Sequence, residues 1–130
     1  RHSDNALTVA KHLSTHPAVS WVSYPGLESD RYHQLARRYT PNGAGAVFTF
    51  GLKGGYEAGV KLVSNLQLFS HLANIGDTRS LIIHPASTTH RQLTDAQKTA
   101  AGAGPDVVRL SIGLEDPADL IEDLDAALGS

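Results

Sequence analysis

The sequence predicts a single α+β domain with α/β-like alternation, its helices covering one face of a sheet. Three observations carry this. Helix-patterned and strand-patterned segments alternate along the chain, in the order helix, strand, helix, strand, helix, short strand, strand, helix, strand, helix. The segment Ala46–Leu52 sets Ala46, Phe48, Phe50 and Leu52 on one face and small or polar residues on the other, the pattern of a sheet covered on one side. The 130 residues show no internal repeat, low-complexity stretch or linker, and residues 1–130 are enough for one ordinary domain with a buried core.

Each element has its own local reason. Ser3 or Asp4 is placed to cap a first helix, in which Ala6, Val9, Ala10 and Leu13 recur at helical spacing, and His16-Pro17 ends it. Ala18–Tyr24 is β-branched and aromatic between prolines, and reads as a strand. A second helix spans Asp30–Tyr39, with Tyr32, Leu35, Ala36 and Tyr39 on one face and Arg37 and Arg38 on the solvated side. After the Pro41–Gly45 loop comes the strand Ala46–Leu52. Lys53-Gly54-Gly55 lacks the spacing of a phosphate loop and reads as a turn into the helix Tyr56–Leu66, with Val60, Val63 and Leu66 inward. Leu68–Leu72 is a short extended piece, and Ser80–Ile83 is an apolar strand between polar loops. Thr94-Asp95-Ala96-Gln97 is a capping-box pattern for a short helix that Gly102 and Gly104 stop. Val107–Ile112 is the last strand. Asp116-Pro117 then starts a closing helix with Leu120, Ile121, Leu124 and Leu128 on its core face, and its acidic residues Asp119, Glu122, Asp123 and Asp125 read as a solvated face.

Composition narrows the chemistry. The chain is 41% hydrophobic and 18% charged with a net charge of −2, which gives no electrostatic reason to expect nucleic acid or an anionic membrane. It has no cysteine, which excludes disulfides, thiolate catalysis and cysteine-bound metals. No apolar run approaches the roughly 18 residues of a membrane span, and no secretory signal opens the chain, so a cytoplasmic protein is expected.

Arg109 is the most informative single residue. Strand alternation places Val108, Leu110 and Ile112 on one face and Val107, Arg109 and Ser111 on the other. A guanidinium in an otherwise uncharged strand needs a partner. That partner is either an internal acid, with Asp77 or Glu115 as candidates, or a ligand carboxylate or phosphate that its planar fork can bind through two bonds. His84 and His90 invite a metal reading, but no third ligand is placed by any pattern, so bonding to loop backbone is expected and no metal site is assigned. Ser87, Thr88 and Thr89 lack a nucleophile signature and read as loop caps or a pocket edge. Asn74, in a turn before Ile75-Gly76-Asp77, either bonds nearby backbone or offers its amide to a ligand.

The run Asn74–His90 (NIGDTRSLIIHPASTTH), followed by Val108–Asp116 (VRLSIGLED), closely resembles the C-terminal part of the Cys/Met-metabolism pyridoxal-phosphate enzymes. Arg1–Ala6 and Trp21–Gly26 fit the same family, so the resemblance covers nearly the whole chain. Asn in Ala73–Asp77 and Thr-Thr in His84–His90 are most similar to its O-acetylhomoserine sulfhydrylase branch. The resemblance implies the small C-terminal domain of a fold-type I enzyme, with a mostly antiparallel sheet. It implies that Arg109 binds the substrate α-carboxylate and that Asn74 helps to hold it. The activity implied is homocysteine synthesis from O-acetylhomoserine and sulfide, with pyridoxal 5′-phosphate as the electron sink for α- and β-proton removal and γ-elimination. Cystathionine γ-synthase or methionine γ-lyase chemistry, and a stand-alone amino-acid-binding module, are the alternatives.

The family's Schiff-base lysine lies in a Ser-x-Thr-Lys context of the preceding large domain. This sequence has only Lys11, Lys53, Lys61 and Lys98, none in that context. Residues 1–130 are therefore expected to be a separated C-terminal domain that lacks the large domain, binds no cofactor alone and is inactive alone. Its expected partners are that large domain and the other subunits of a homo-oligomer, a tetramer, besides the amino-acid substrate.

Overall fold

A computed structural model describes residues 1–129. The elements are α1 (His2–Ser14), β1 (Val19–Ser23), α2 (His33–Tyr39), β2 (Val47–Leu52), α3 (Gly55–Asn65), β3 (Ser70–His71), β4 (Leu81–Ile83), a 3₁₀ turn (Pro85–Ser87), α4 (Asp95–Ala100), β5 (Val107–Ser111) and α5 (Pro117–Gly129). The sheet order is β1-β2-β5-β4-β3, antiparallel throughout except for the parallel pair β3 and β4. The α+β class is as the sequence predicts, and the mostly antiparallel sheet is as the family resemblance implies. No helix among the described residues is long and apolar enough to cross a membrane.

The core lies between one face of this sheet and α1, α3 and α5. Phe48, Phe50 and Leu52 of β2 share that face with Val108 and Leu110 of β5, and with Ile82 of β4. From the helices, Ala6, Val9, Ala10 and Leu13, then Leu62, then Leu120, Leu124 and Ala127 close over it. The alternation read in Ala46–Leu52 thus sets which side of the sheet the helices take.

Local details depart from the sequence reading where tertiary contacts win. Neither Ser3 nor Asp4 caps α1, because the helix already includes them; the Ser3 hydroxyl instead accepts the Gly45 N–H at 3.2 Å. In α3 the buried residues are Gly59 and Leu62, with Val60, Val63 and Leu66 only half-buried. Gly59 explains the rotation: a Cβ there would lie 2.5 Å from Nε2 of the buried His84 ring. The short helix α2 buries nothing, and Tyr32, Leu35 and Tyr39 are 50%, 49% and 69% exposed, with the Arg31 and Arg38 guanidiniums over the tyrosine rings. The acidic residues of α5 are not simply a solvated face. Asp123 accepts the backbone N–H groups of Gln67, Leu68 and Phe69, and Asp125 holds His12 at 2.6 Å across the α1–α5 contact. The capping box at Thr94–Gln97 forms as read. Gly102, at φ +75, ends α4 in a Schellman arrangement, with Ala103 N–H bonded to the Lys98 carbonyl.

One polar clamp fixes the loop between β3 and β4 against the end of β5. Ser80, fully buried, donates its backbone N–H and its hydroxyl to the two Glu115 carboxylate oxygens, at 2.9 and 2.8 Å. Its hydroxyl oxygen also accepts the Gly113 N–H at 2.8 Å. On the other side, the Asn5 amide of α1 donates to the Gly113 and Glu115 carbonyls at 3.1 and 2.8 Å. Gly113 sits so close to the loop that a Cβ would lie 2.2 Å from the Thr78 carbonyl oxygen. Within the loop, Arg79 and Asp77 form a forked pair at 3.1 and 3.0 Å. Hydrogen bonding from Arg79 holds the Asp77 carboxyl at a pKa of about 2, below its ordinary 3.8.

Two expectations follow from these contacts. Gly113→Ala must push the Thr78–Arg79 backbone away, and denaturant titration is expected to show a loss of roughly 1–3 kcal/mol, the range for overpacking. An undiminished midpoint would show that the loop yields freely. Because the folded pKa of Asp77 is depressed, its contribution to stability is full above the unfolded value near 3.8 and fades as pH falls toward about 2. Carboxyl NMR titration should place its midpoint near 2, and Arg79→Ala should return it toward 3.8.

Candidate functional site

Arg109 lies in the middle of β5, directly across from Thr49 on β2 and Ile83 on β4. The register puts its side chain on the sheet face away from the helices, as strand alternation requires. Leu81, Ile83 and Val107 on that face are buried, so the side chain leaves an apolar floor, and Arg109 as a residue is half-buried. The connection from His84 to Asp106, which carries the 3₁₀ turn and α4, flanks this face. It encloses with it a cleft of about 270 Å³, bordered by Thr49, Ala73, Thr89, His90, Ala103 and Arg109 among others.

The charge in this cleft is unbalanced. Among the described residues that line it, Arg109 is the one permanent charge and none is a carboxylate. Both acids that sequence offered as internal partners are committed elsewhere, Asp77 to Arg79 and Glu115 to Ser80. Among the described residues Arg109 makes one hydrogen bond, from Nη2 to the Asn74 main-chain carbonyl at 3.3 Å. A carbonyl orients a guanidinium without neutralising it, so the fork keeps unfilled donors facing the cleft. A second groove, about 170 Å³, lies between α1 and α2, but there Arg37 shares the lining with Asp4. The Arg109 cleft is distinguished by setting a lone guanidinium on an apolar sheet face, with no acid among the described residues that line it.

The structure brings Asn74 and Arg109 together, though through the backbone of Asn74. Its side-chain oxygen accepts the Ile75 N–H at 2.8 Å, which is the turn role that Asn ordinarily takes. His84 is fully buried and uses both ring nitrogens: Nε2–H donates to the Pro105 carbonyl at 2.7 Å and Nδ1 pairs with the Ser87 hydroxyl at 2.8 Å. The ring also packs edge-on against Tyr56. It is a brace, bonding loop backbone as expected. His90 pairs through Nδ1 with the Thr89 hydroxyl at 2.9 Å, and both residues border the cleft, whereas Thr88 bonds back to the His84 carbonyl. Among the described residues no lysine lines the cleft: Lys11, Lys61 and Lys98 lie on α1, α3 and α4, and Lys53 in the turn after β2.

Sequence reasoning missed two features. Ser80 and Asn5 carried no pattern that marked them, since their partners are 33 to 110 residues distant along the chain. Ser111, on the same strand face as Arg109, has a buried hydroxyl with no hydrogen-bond partner among the described residues. Alternation placed it there but could not show that it is unsatisfied.

Residues 1–129 match the family described as Cys/Met metabolism PLP-dependent enzyme. The chain is 53% identical over 98% of its length to O-acetyl-L-homoserine sulfhydrylase 1 of Thermus thermophilus, and 51% identical over 98% to homocysteine synthase of Schizosaccharomyces pombe. In each case it spans 30% of the relative. It is also 45% identical over 98% of its length to L-methionine gamma-lyase of Fusobacterium nucleatum, of which it covers 32%. A crystal structure of a Campylobacter jejuni protein assigned as an O-acetylhomoserine (thiol)-lyase superposes with a TM-score of 0.91 at 46% identity, over 99% of this chain and 31% of that one. That structure carries an N′-pyridoxyl-lysine-5′-monophosphate. With a family match across all described residues and a common fold at this identity, the chain belongs to the Cys/Met-metabolism PLP-dependent enzymes.

Proposed function

We propose that these residues form the C-terminal, substrate-carboxylate-binding domain of a pyridoxal-phosphate-dependent O-acetylhomoserine sulfhydrylase. The reaction is O-acetylhomoserine plus sulfide to homocysteine plus acetate, in the cytoplasm. The observation that carries the binding role is Arg109, a permanent charge in a cleft with no acid to meet it. An amino-acid α-carboxylate fills the free side of its fork with two charge-assisted bonds, while the Asn74 carbonyl holds the opposite edge. The names of the most similar relatives support the choice of substrate.

The residues described do not by themselves fit the cofactor. Its covalent anchor is a lysine, and no lysine lines the cleft. No chemical step is therefore assigned to this chain. Its part is to seize the α-carboxylate and so orient the amino acid for chemistry performed by groups of the longer protein, which the relatives' lengths imply. Residues 1–130 alone are inactive on this reading, and their partners are the large domain and the other subunits of a homotetramer.

A γ-lyase reading shares the same carboxylate clamp and is favoured by the likeness to the methionine gamma-lyase. Substrate tests separate the two. The full-length protein is expected to make homocysteine from O-acetylhomoserine and sulfide, whereas release of methanethiol from methionine as its main activity would establish the lyase. In the same protein Arg109→Ala is expected to lower kcat/KM by roughly 10²-fold or more, the loss of at least ~3 kcal/mol for a bidentate ionic pair, with the cofactor's absorption unchanged. Normal turnover by that variant would contradict the clamp.

A further inference from the structure

Arg109 is useful as a clamp only if its fork is aimed, and its aim depends on a loop. Among the described residues the one atom bonded to the guanidinium is the Asn74 carbonyl, in a stretch where Ala73, Asn74, Ile75 and Gly76 are all exposed. Its position is set from both ends. On the N-terminal side β3 pairs with β4, Ser70 N–H bonding the Ser80 carbonyl at 3.0 Å. On the C-terminal side Leu114 N–H bonds the Thr78 carbonyl at 2.9 Å, while Ser80, common to both anchors, is gripped by Glu115 and Gly113. Between those anchors and Asn74 the path is stiffened by the Asp77–Arg79 pair and by the Asn74–Ile75 turn bond. Glu115 spends both carboxylate oxygens on one buried serine, a charge-assisted grip that a single backbone bond could not match.

We propose that Ser80 and Glu115 are positioning residues for substrate capture: they fix the exit of the β3–β4 loop, so that the Asn74 carbonyl holds the Arg109 fork toward the cleft. This rests on the carboxylate-binding role of Arg109 and adds residues that never touch the substrate. Loosening the clamp lets the carbonyl drift and the fork swing, so the carboxylate is bound less tightly. The chemistry, performed by groups elsewhere, is left as it was.

The test is a double-mutant cycle in the full-length enzyme, read as KM and kcat for O-acetylhomoserine. Glu115→Gln and Ser80→Ala are each expected to raise KM by roughly tenfold, a misplacement effect, with kcat held within about twofold. In an Arg109→Ala background the same substitutions should leave kcat/KM unchanged, because no fork remains to aim. A merely structural role predicts something else: lower thermal stability, with KM unmoved or with the same loss in both backgrounds. Either result overturns the proposal, as does loss of fold by circular dichroism in both variants. If Arg109→Ala alone leaves KM unaltered, the carboxylate reading itself fails and the positioning role falls with it. If Arg109→Ala acts but the clamp variants do not, only the positioning role is lost.

Discussion

The Ser80–Glu115 contact is the interaction on which the site depends. It joins two segments 35 residues apart, the entry to β4 and the exit from β5, and both flank Arg109. The donors and acceptors meet one another: two donors of Ser80 meet two oxygens of Glu115, the Gly113 N–H meets the serine oxygen, and Asn5 bonds the Gly113 and Glu115 carbonyls. A buried polar cluster stabilises a fold only when it is satisfied in this way. Its consequence is geometric. The loop lies tight enough on β5 to exclude a Cβ at Gly113 and to deliver a carbonyl to the Arg109 side chain.

The same arrangement explains why the cleft holds an unpaired cation. Leaving a guanidinium half-buried without an acid is unfavourable, and a chain selected only for stability would pair it. Here the acids that could do so are drawn away by shorter partners: Asp77 by its neighbour Arg79, and Glu115 by Ser80. The clamp thus does two things, holding the loop and keeping a carboxylate out of the cleft. On the proposed reading an amino-acid carboxylate supplies the missing charge, and the unfavourable empty state then becomes a source of binding energy.

Much of this was legible in sequence because it is written in local periodicity. The two-residue alternation of Ala46–Leu52 and Val107–Ile112 placed Arg109 on the face away from the helices, and Thr94–Gln97 and Asp116-Pro117 marked helix starts that formed as read. Where the reading failed, a distant contact had overridden a local preference. Ser3 gave up a cap to reach Gly45, α3 turned so that Gly59 could receive His84, and Asp123 became a cap for the backbone at Gln67–Phe69. The partners of Arg109 were of this second kind. Composition could nominate Asp77 and Glu115, but only the fold shows that both are occupied. Asn74 was marked by its motif, whereas its contribution through a main-chain carbonyl leaves no trace in side-chain identity.

The proposed binding role requires a free guanidinium fork that closes on a substrate carboxylate. A crystal structure of the full-length protein with homoserine bound, which lacks the acetyl leaving group, tests this directly. The predicted result places the homoserine carboxylate within hydrogen-bond distance of two Arg109 nitrogens, with the Asn74 carbonyl still on the guanidinium and Glu115 still on Ser80. An Arg109 side chain paired instead with an acid from the rest of the protein, with the homoserine carboxylate bound elsewhere, would contradict it.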